Sequence, residues 1–305
     1  MQSHKFIEAS KKINAPNKLQ KFIASGTYQM IVSFISELQQ SVCGKASSSV
    51  KKPTNPCVCG LEKMMDKLDE IFNETPVQKT EQRFGNTALK IFYEKVGKDY
   101  ESILLEAIKP KEDKLLALEL KNYLMNSFGS NMRLDYGTGH ELNFLCILLI
   151  LYLTGYYSRE DFDSLVVHVF YRYILFVRKL QVTYVLEPAG AHGVWGLDEY
   201  QFLPFLFGAA QLINNDTIFP KNSIDDDIID KYNGDFMYLN CIKHIKSVKH
   251  GASFGEYSPL LYSLTDVKNW EKVAKGLVKM YEDEVLKKFV VVQHFFFGSV
   301  LTYDG

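Results

Sequence analysis

The sequence predicts an all-α fold. Apolar residues recur at three- and four-residue steps through most of the chain, the spacing that places them on one face of a helix. Leu142–Leu153 is a nearly unbroken apolar run of helical length, too short to span a bilayer and therefore a buried central helix. Gly and Pro gather at junctions rather than at the short regular intervals that mark strands and hairpins. No internal repeat of solenoid period is present.

Taken in order, Lys18–Leu38 carries Phe22, Ile23, Met30, Ile31, Phe34 and Ile35, and Leu61–Phe72 carries Leu61, Met64, Met65, Leu68, Ile71 and Phe72. Each reads as one amphipathic helix. Between them Ala46–Pro56, rich in Ser, Lys and Pro, reads as an exposed loop with Cys43, Cys57 and Cys59 around it. A zinc site there lacks a fourth ligand. After Glu74-Thr-Pro76, helices fit Asn86–Val96, Asp99–Ile108 and Lys111–Asn126. A long helix fits Ser158–Tyr184, with Glu160, Asp161 and Asp163 at its start and Arg178 and Lys179 near its end, the polarity a helix dipole favours. Asp198–Ile213 follows with a kink expected at Pro204. Asn214–Asn233 reads as a linker, Phe236–Lys249 and Trp270–Phe289 as helices, and Val290–Phe297 as an extended buried tail.

The 305 residues are 47% hydrophobic, and 35 basic against 36 acidic side chains leave a formal charge of −1. A large core is therefore expected, and bulk electrostatics point to neither nucleic acid nor an anionic membrane as partner. Glu8 interrupts any apolar secretory run, so a cytoplasmic location is expected, with the nucleus a second compartment. Five cysteines are an odd number and argue against a disulfide framework; Cys146 and Cys241 lie in apolar helical settings.

Two corners carry the chemistry. Thr138-Gly-His-Glu141 has the spacing of a capping box, in which Thr138 caps the apolar helix and Glu141 reaches back. A Gly-Thr-Gly turn at a helix start also offers free N–H groups to a phosphate, with Arg133 a bidentate partner. No Walker lysine is present, so this is not a P-loop. The second corner, Glu187–Phe205, holds Gly190, Gly193 and Gly196 interleaved with Trp195 and followed by Asp198: a loop whose backbone can approach a ligand closely. Val194, Trp195 and Tyr200 are candidates to line a peptide groove, Trp195 reading equally as core. His140, His192 and His294 form neither a zinc-protease motif nor a nucleophile triad.

Arg133–Glu141, Glu187–Phe205 and Gln293–Ser299, with Glu74–Pro76, Arg83–Asn86, Arg178–Gln181 and Lys279–Tyr281, closely resemble the phosphotyrosyl phosphatase activator family, activators of protein phosphatase 2A also classed as peptidyl-prolyl isomerases. The likeness runs from about residue 70 to the C-terminal end and is weaker before it, and it implies that the loop over residues 43–60 is an insertion, the family being usually shorter there. It implies one domain over residues 1–305 with core, lid and linker subdomains, a phosphatase 2A-type catalytic subunit as partner, and a proline-containing segment as client. It also implies ATP and Mg²⁺ as cofactors, productive together with the phosphatase. ATP contacts carry over to Arg133, Thr138, Gly139 and the Gln293, His294, Phe295 stretch. Magnesium contacts carry over to Gly193 and Glu199, with Asp198 an alternate that reads equally as a helix N-cap. Two departures stand out: Glu199, where the family usually has aspartate, and Val290, where it commonly has proline. Isomerisation itself needs only a groove that desolvates the amide and binds its twisted form, the barrier being about 18–20 kcal/mol. The alternative is a non-catalytic helical binding protein for the phosphatase.

Overall fold

Helical periodicity produces helices almost throughout, and the departures from expectation fall where side chains cap or anchor the backbone. The computed structural model describes residues 4–79, 83–108, 114–190 and 196–303. After a two-residue strand β1 (Ser10–Lys11), the single helix expected over 18–38 is two, α1 (Pro16–Ile23) and α2 (Gly26–Ser41). The break is local chemistry: Ser25 takes extended backbone and its Oγ accepts from Tyr28 N at 3.2 Å, starting a new helix.

Helix α3 (Pro56–Asn73) begins five residues before the expected start, because Asn55 Oδ1 accepts from Cys57 N and Val58 N and Pro56 occupies the first turn. Cys57 is therefore a buried helical residue rather than part of an exposed insertion, and Cys59 Sγ donates to Pro53 O at 3.1 Å. The segment before it is anchored: Val50 is buried and Ser47 N donates to Asp235 O. Helix α4 (Ala88–Ile108) runs straight through the break expected near Gly97. One glycine costs a helix about 1 kcal/mol, less than burying Phe92, Val96, Ile103 and Leu104 provides.

α5 (Lys114–Met125) leads through strand β2 (Asp135–Tyr136) to α6 (Thr138–Leu153), whose residues from His140 to Leu151 are all buried. The long helix expected over 158–184 is segmented: α7 (Phe162–Ser164), a wide π-helical turn at Leu165–Phe170, and α8 (Tyr171–Thr183). Tyr173 of α8 stacks on Phe144 of α6, ring centroids 3.8 Å apart and 2° from parallel. Strand β3 (Glu187–Pro188) pairs in parallel with β2.

α9 (Leu203–Gln211) starts later than expected, and Pro204 lies in its first turn, where the missing N–H breaks no helical bond. No kink is needed. The expected linker holds α10 (Asp226–Tyr232), capped by Asp225 and tied down where Trp270 Nε1 donates to the carbonyl of buried Ile218 at 2.7 Å. α11 (Met237–Val248) crosses α9 closely: a Cβ on Gly208 would lie 2.2 Å from Tyr238 N. Then come α12 (Phe254–Tyr257), α13 (Pro259–Leu264) and α14 (Trp270–Tyr281), which ends in a second π-helical stretch at Glu282–Leu286. The tail is not wholly extended, since α15 (Phe289–Val292) makes one helical turn before β4 (Phe296–Phe297), which pairs antiparallel with β1.

One contiguous core results, with α6 at its centre. Both ends of the fold are fastened to α5. Buried Glu119 accepts from Ile7 N, Ser299 N and Val300 N, and Tyr123 OH donates to Phe296 O. Among the described residues no helix is long and apolar enough to cross a membrane.

Candidate functional site

The start of α6 is a meeting point. Glu187 N donates to Leu134 O and Ala189 N to Tyr136 O, so the glycine loop leaves α8 as a strand laid against the residues leading into α6. Gly137 is required there, since a Cβ on it would lie 2.8 Å from Ala189 O. The tail packs on the same corner from another side: a Cβ on Gly139 would lie 3.3 Å from Val291 Cγ1.

The capping box expected at this corner does not form. Gly137, not Thr138, is the N-cap, and no side chain caps the first turn of α6. Glu141 instead crosses to another element. Its fully buried carboxylate accepts from Phe202 N at 3.1 and 3.2 Å and from Leu203 N at 3.0 Å, satisfying the orphan amides at the start of α9. Burial pushes its carboxyl up to about 8, against the pull of those two amides and of Arg178. Asp198 is not the N-cap of α9 either: its Oδ2 accepts from Tyr200 N and Gln201 N in the turn before the helix. Burial raises its carboxyl, opposed by those bonds and by Lys249.

Below these elements opens a cleft of about 940 Å³. Its floor is buried: Leu186, Leu197, Phe202, Ile245 and Val285. Its rim is apolar and exposed, with Val182 at 57%, Phe84 at 49%, Val248 at 46% and Val185 at 44% exposure. Exposed apolar side chains gathered round a hollow, rather than scattered singly, mark an interaction site. Glu199 and Lys249 form an ion pair in the wall, Oε1 to Nζ 2.9 Å, and Lys249 also reaches Tyr257 O. Tyr200 OH donates to Leu186 O at 2.9 Å. Burial, with Arg178 nearby, lowers His244 to about 4, so it lines the cleft as a neutral imidazole.

Beside the cleft, on the tail side of α6, lies a basic cluster. Arg133 forks onto Asp135, Nε to Oδ2 2.6 Å and Nη2 to Oδ1 3.2 Å, and His140 Nε2 lies 3.8 Å from Asp135 Oδ1. Burial works against the Asp135 carboxylate, yet its bonds to His140 and Arg133 outweigh that and keep its carboxyl below the ordinary value. His294 is lowered by burial and then by Lys11, Arg133 and His140. Arg133 and His140 thus flank one carboxylate, with His294 and Lys11 near them.

Of the residues proposed from sequence, Thr138, Asp198, Glu199 and Tyr200 line the cleft. Arg133 and His294 belong to the basic cluster, with Gly139 packed against the tail beside it. Gln293 Nε2 donates to Val290 O, and Phe295 is buried against Phe22, Tyr123 and Phe297. Gly193, Val194 and Trp195 lie outside the described residues. Sequence reasoning missed Gln181, Gln201, His244 and Lys249 as cleft residues. Arg178–Gln181 and the Gln201-Phe-Leu-Pro stretch had been marked by resemblance, but spacing gave no sign that they face one hollow.

The residues suit a polyanion better than a resident cation. The uncapped start of α6 and the basic cluster fit phosphate groups. The Glu199 carboxylate already holds Lys249, Asp198 already holds two amides, and the described residues contain no group of three His, Cys, Asp or Glu placed to hold a metal. Those described residues do not fit a metal held by this chain alone.

A family model described as "Phosphotyrosyl phosphate activator (PTPA) protein" matches residues 9–303, and the chain belongs to that family. A relative named serine/threonine-protein phosphatase 2A activator 2 from Candida albicans is 40% identical, over 97% of this chain and 83% of its own. A relative from Dictyostelium discoideum is 39% identical over 97% of this chain, which spans 65% of that relative's length. Among solved structures, the crystal structure of the PP2A phosphatase activator Ypa1 superposes with a TM-score of 0.90 at 32% identity, covering 99% of this chain and 97% of the other.

Proposed function

We propose that this chain is an activator of a protein phosphatase 2A-type catalytic subunit, binding it and favouring its active, metal-loaded form. The names of its relatives support the partner. The observation that carries the reading is the exposed apolar rim of Phe84, Val182, Val185 and Val248 around a large hollow, surface that a protein partner would remove from water.

ATP is the proposed cofactor, with Arg133, Thr138, Gly139 and His294 on its phosphates and Gln293 and Phe295 adjoining. When bound, the triphosphate supplies negative oxygens able to carry a divalent ion. Magnesium in this reading arrives with the nucleotide, and its coordination is completed by the partner. This chain's own part is to place basic side chains and uncapped amides around the anion and to offer the partner an apolar hollow. The second activity proposed is peptidyl-prolyl isomerisation of a client segment in that hollow, favoured by its water-excluding floor; the alternative remains a binding protein without turnover.

The test is activation of an inactive phosphatase 2A-type catalytic subunit with ATP and Mg²⁺ present. Val182→Asp combined with Val248→Asp is expected to lower activation at least about tenfold, since charging a buried interface core costs several kcal/mol. Full activation by that folded variant would overturn the reading. Exchange measured by NMR on a proline peptide at substoichiometric protein separates the two activities: activation without acceleration leaves a binding protein.

A further inference from the structure

Residues 42–55 join α2 to α3 and hold no α-helix. Connections between packed helices usually span about 2–8 residues, and much longer ones are functional or disordered. This strap is ordered by its tethers. Gly44 N donates to Ala210 O near the end of α9, Ser47 N donates to Asp235 O in the turn before α11, and Lys45 pairs with Asp163 of α7 at 2.8 Å. His168, on the π-helical turn before α8, donates from Nε2 to Lys51 O at 3.1 Å.

Three serines form a 3₁₀ turn in the middle of the strap, Ser47–Ser49. Ser47 Oγ accepts from Gln211 Nε2 at 3.0 Å, and Ser49 Oγ donates to Ala46 O at 2.6 Å. Ser48 is exposed, and its hydroxyl makes no hydrogen bond among the described residues. Its amide donates to Asp235 Oδ1 at 3.3 Å, so its side chain starts from backbone held beside a carboxylate. Lys45 precedes Ser48 by three residues, and Lys51 and Lys52 follow it by three and four. Such basic flanks suit a kinase groove lined with acidic side chains.

We infer that Ser48 is a phosphorylation site for a protein kinase that selects basic flanks, and that its phosphate releases the strap. In the transfer the Ser48 oxygen bonds to the γ-phosphorus of ATP, the bond to ADP breaks, and the hydroxyl proton passes to the kinase base. The new group carries about −1.5 to −2 charge at neutral pH, and like-charge repulsion from Asp235 undoes the amide bonds of Ser47 and Ser48. Lys45 is already held by Asp163. The effect reaches α11 through Gln211, a buried side chain that donates to Ser47 Oγ and accepts from Met237 N, the first amide of that helix. Release of Ser47 therefore loosens the support of the helix whose His244, Ile245 and Val248 line the cleft.

The experiment incubates the full chain with ATP and the catalytic domain of protein kinase C, locates phosphate by mass spectrometry and follows amide hydrogen exchange. Phosphate is expected on Ser48 and no longer at that position in Ser48→Ala. Exchange at Gly44, Ser47, Ser48 and Met237 is expected to quicken at least about tenfold in the phosphorylated chain, with β1 and β4 unchanged. Asp235→Asn keeps an acceptor for the Ser48 amide and removes the opposing charge, so phosphorylation of that variant should quicken exchange less than about threefold. A chain left unmodified at Ser48, while a basic control peptide is phosphorylated, would overturn the site. Phosphate on Ser48 with unchanged exchange, or with equal quickening in Asp235→Asn, would overturn the release. Should Asp235→Asn fail to fold, Ser48→Asp against Ser48→Asn decides: faster exchange in the charged variant alone supports the release, and equal exchange in both overturns it.

Discussion

At the residue scale Glu141 joins chemistry to fold. One carboxylate serves the amides of Phe202 and Leu203 at the start of a helix 62 residues later in sequence, and Glu141→Ala would strand both. A loss of about 2–4 kcal/mol is expected in urea unfolding, from two buried unsatisfied donors. Its titration gives a second measurement. The folded carboxyl lies at about 8, above an ordinary 4.5, so the folded state binds more protons between those values. Its contribution is full below about pH 4.5 and declines as pH rises through 8. The urea midpoint should fall across that window, and Glu141→Gln should flatten the fall. Asp198, Arg178 and the buried hydroxyls of Tyr136, Tyr173 and Tyr281 share its surroundings, so a residual slope is expected. The sequence led to the right residue and the wrong partner. Thr138-x-x-Glu141 satisfies the capping pattern, but Gly137 took the cap and the carboxylate found a non-local partner that no spacing rule contains.

At the element scale the helices were legible and their ends less so. Periodicity identified α3, α11 and α14 because each turns one apolar stripe to the core, and an unbroken apolar run identified α6, which is buried all round. It failed at Ser25 and Asn55, where a side-chain oxygen sets the boundary, and at Gly97, where packing overrode a weak propensity. α9 crosses α11, whose His244, Ile245 and Val248 line the cleft, and Gly208 sets the distance between the two helices. Gly208→Val should destabilise at or above the upper end of about 1–3 kcal/mol, because the obstructing atom is the Tyr238 backbone nitrogen. A thermal melt that differs little from wild type would show that the helices separate freely.

At the scale of the whole molecule, the resemblance read from scattered motifs was correct about family and fold class, and the three motif-bearing segments do meet at the start of α6. They meet on two sides of it, the cleft and the basic cluster, which linear sequence could not separate. The ends are laced to α5 through Glu119. Glu119→Ala would leave three partly buried amides of two distant segments without their acceptor, and a loss of about 1–3 kcal/mol is expected, with hydrogen exchange quickening in β1 and β4 together. Exchange rising in one strand alone would mean the ends are held independently.

That lacing also sets an order of assembly during synthesis. Residues 7 to 11 leave the ribosome ahead of the segment that completes their setting, whose amides and strand belong to residues 296 to 300. The first strand must wait, unpaired, until everything between the two has been made.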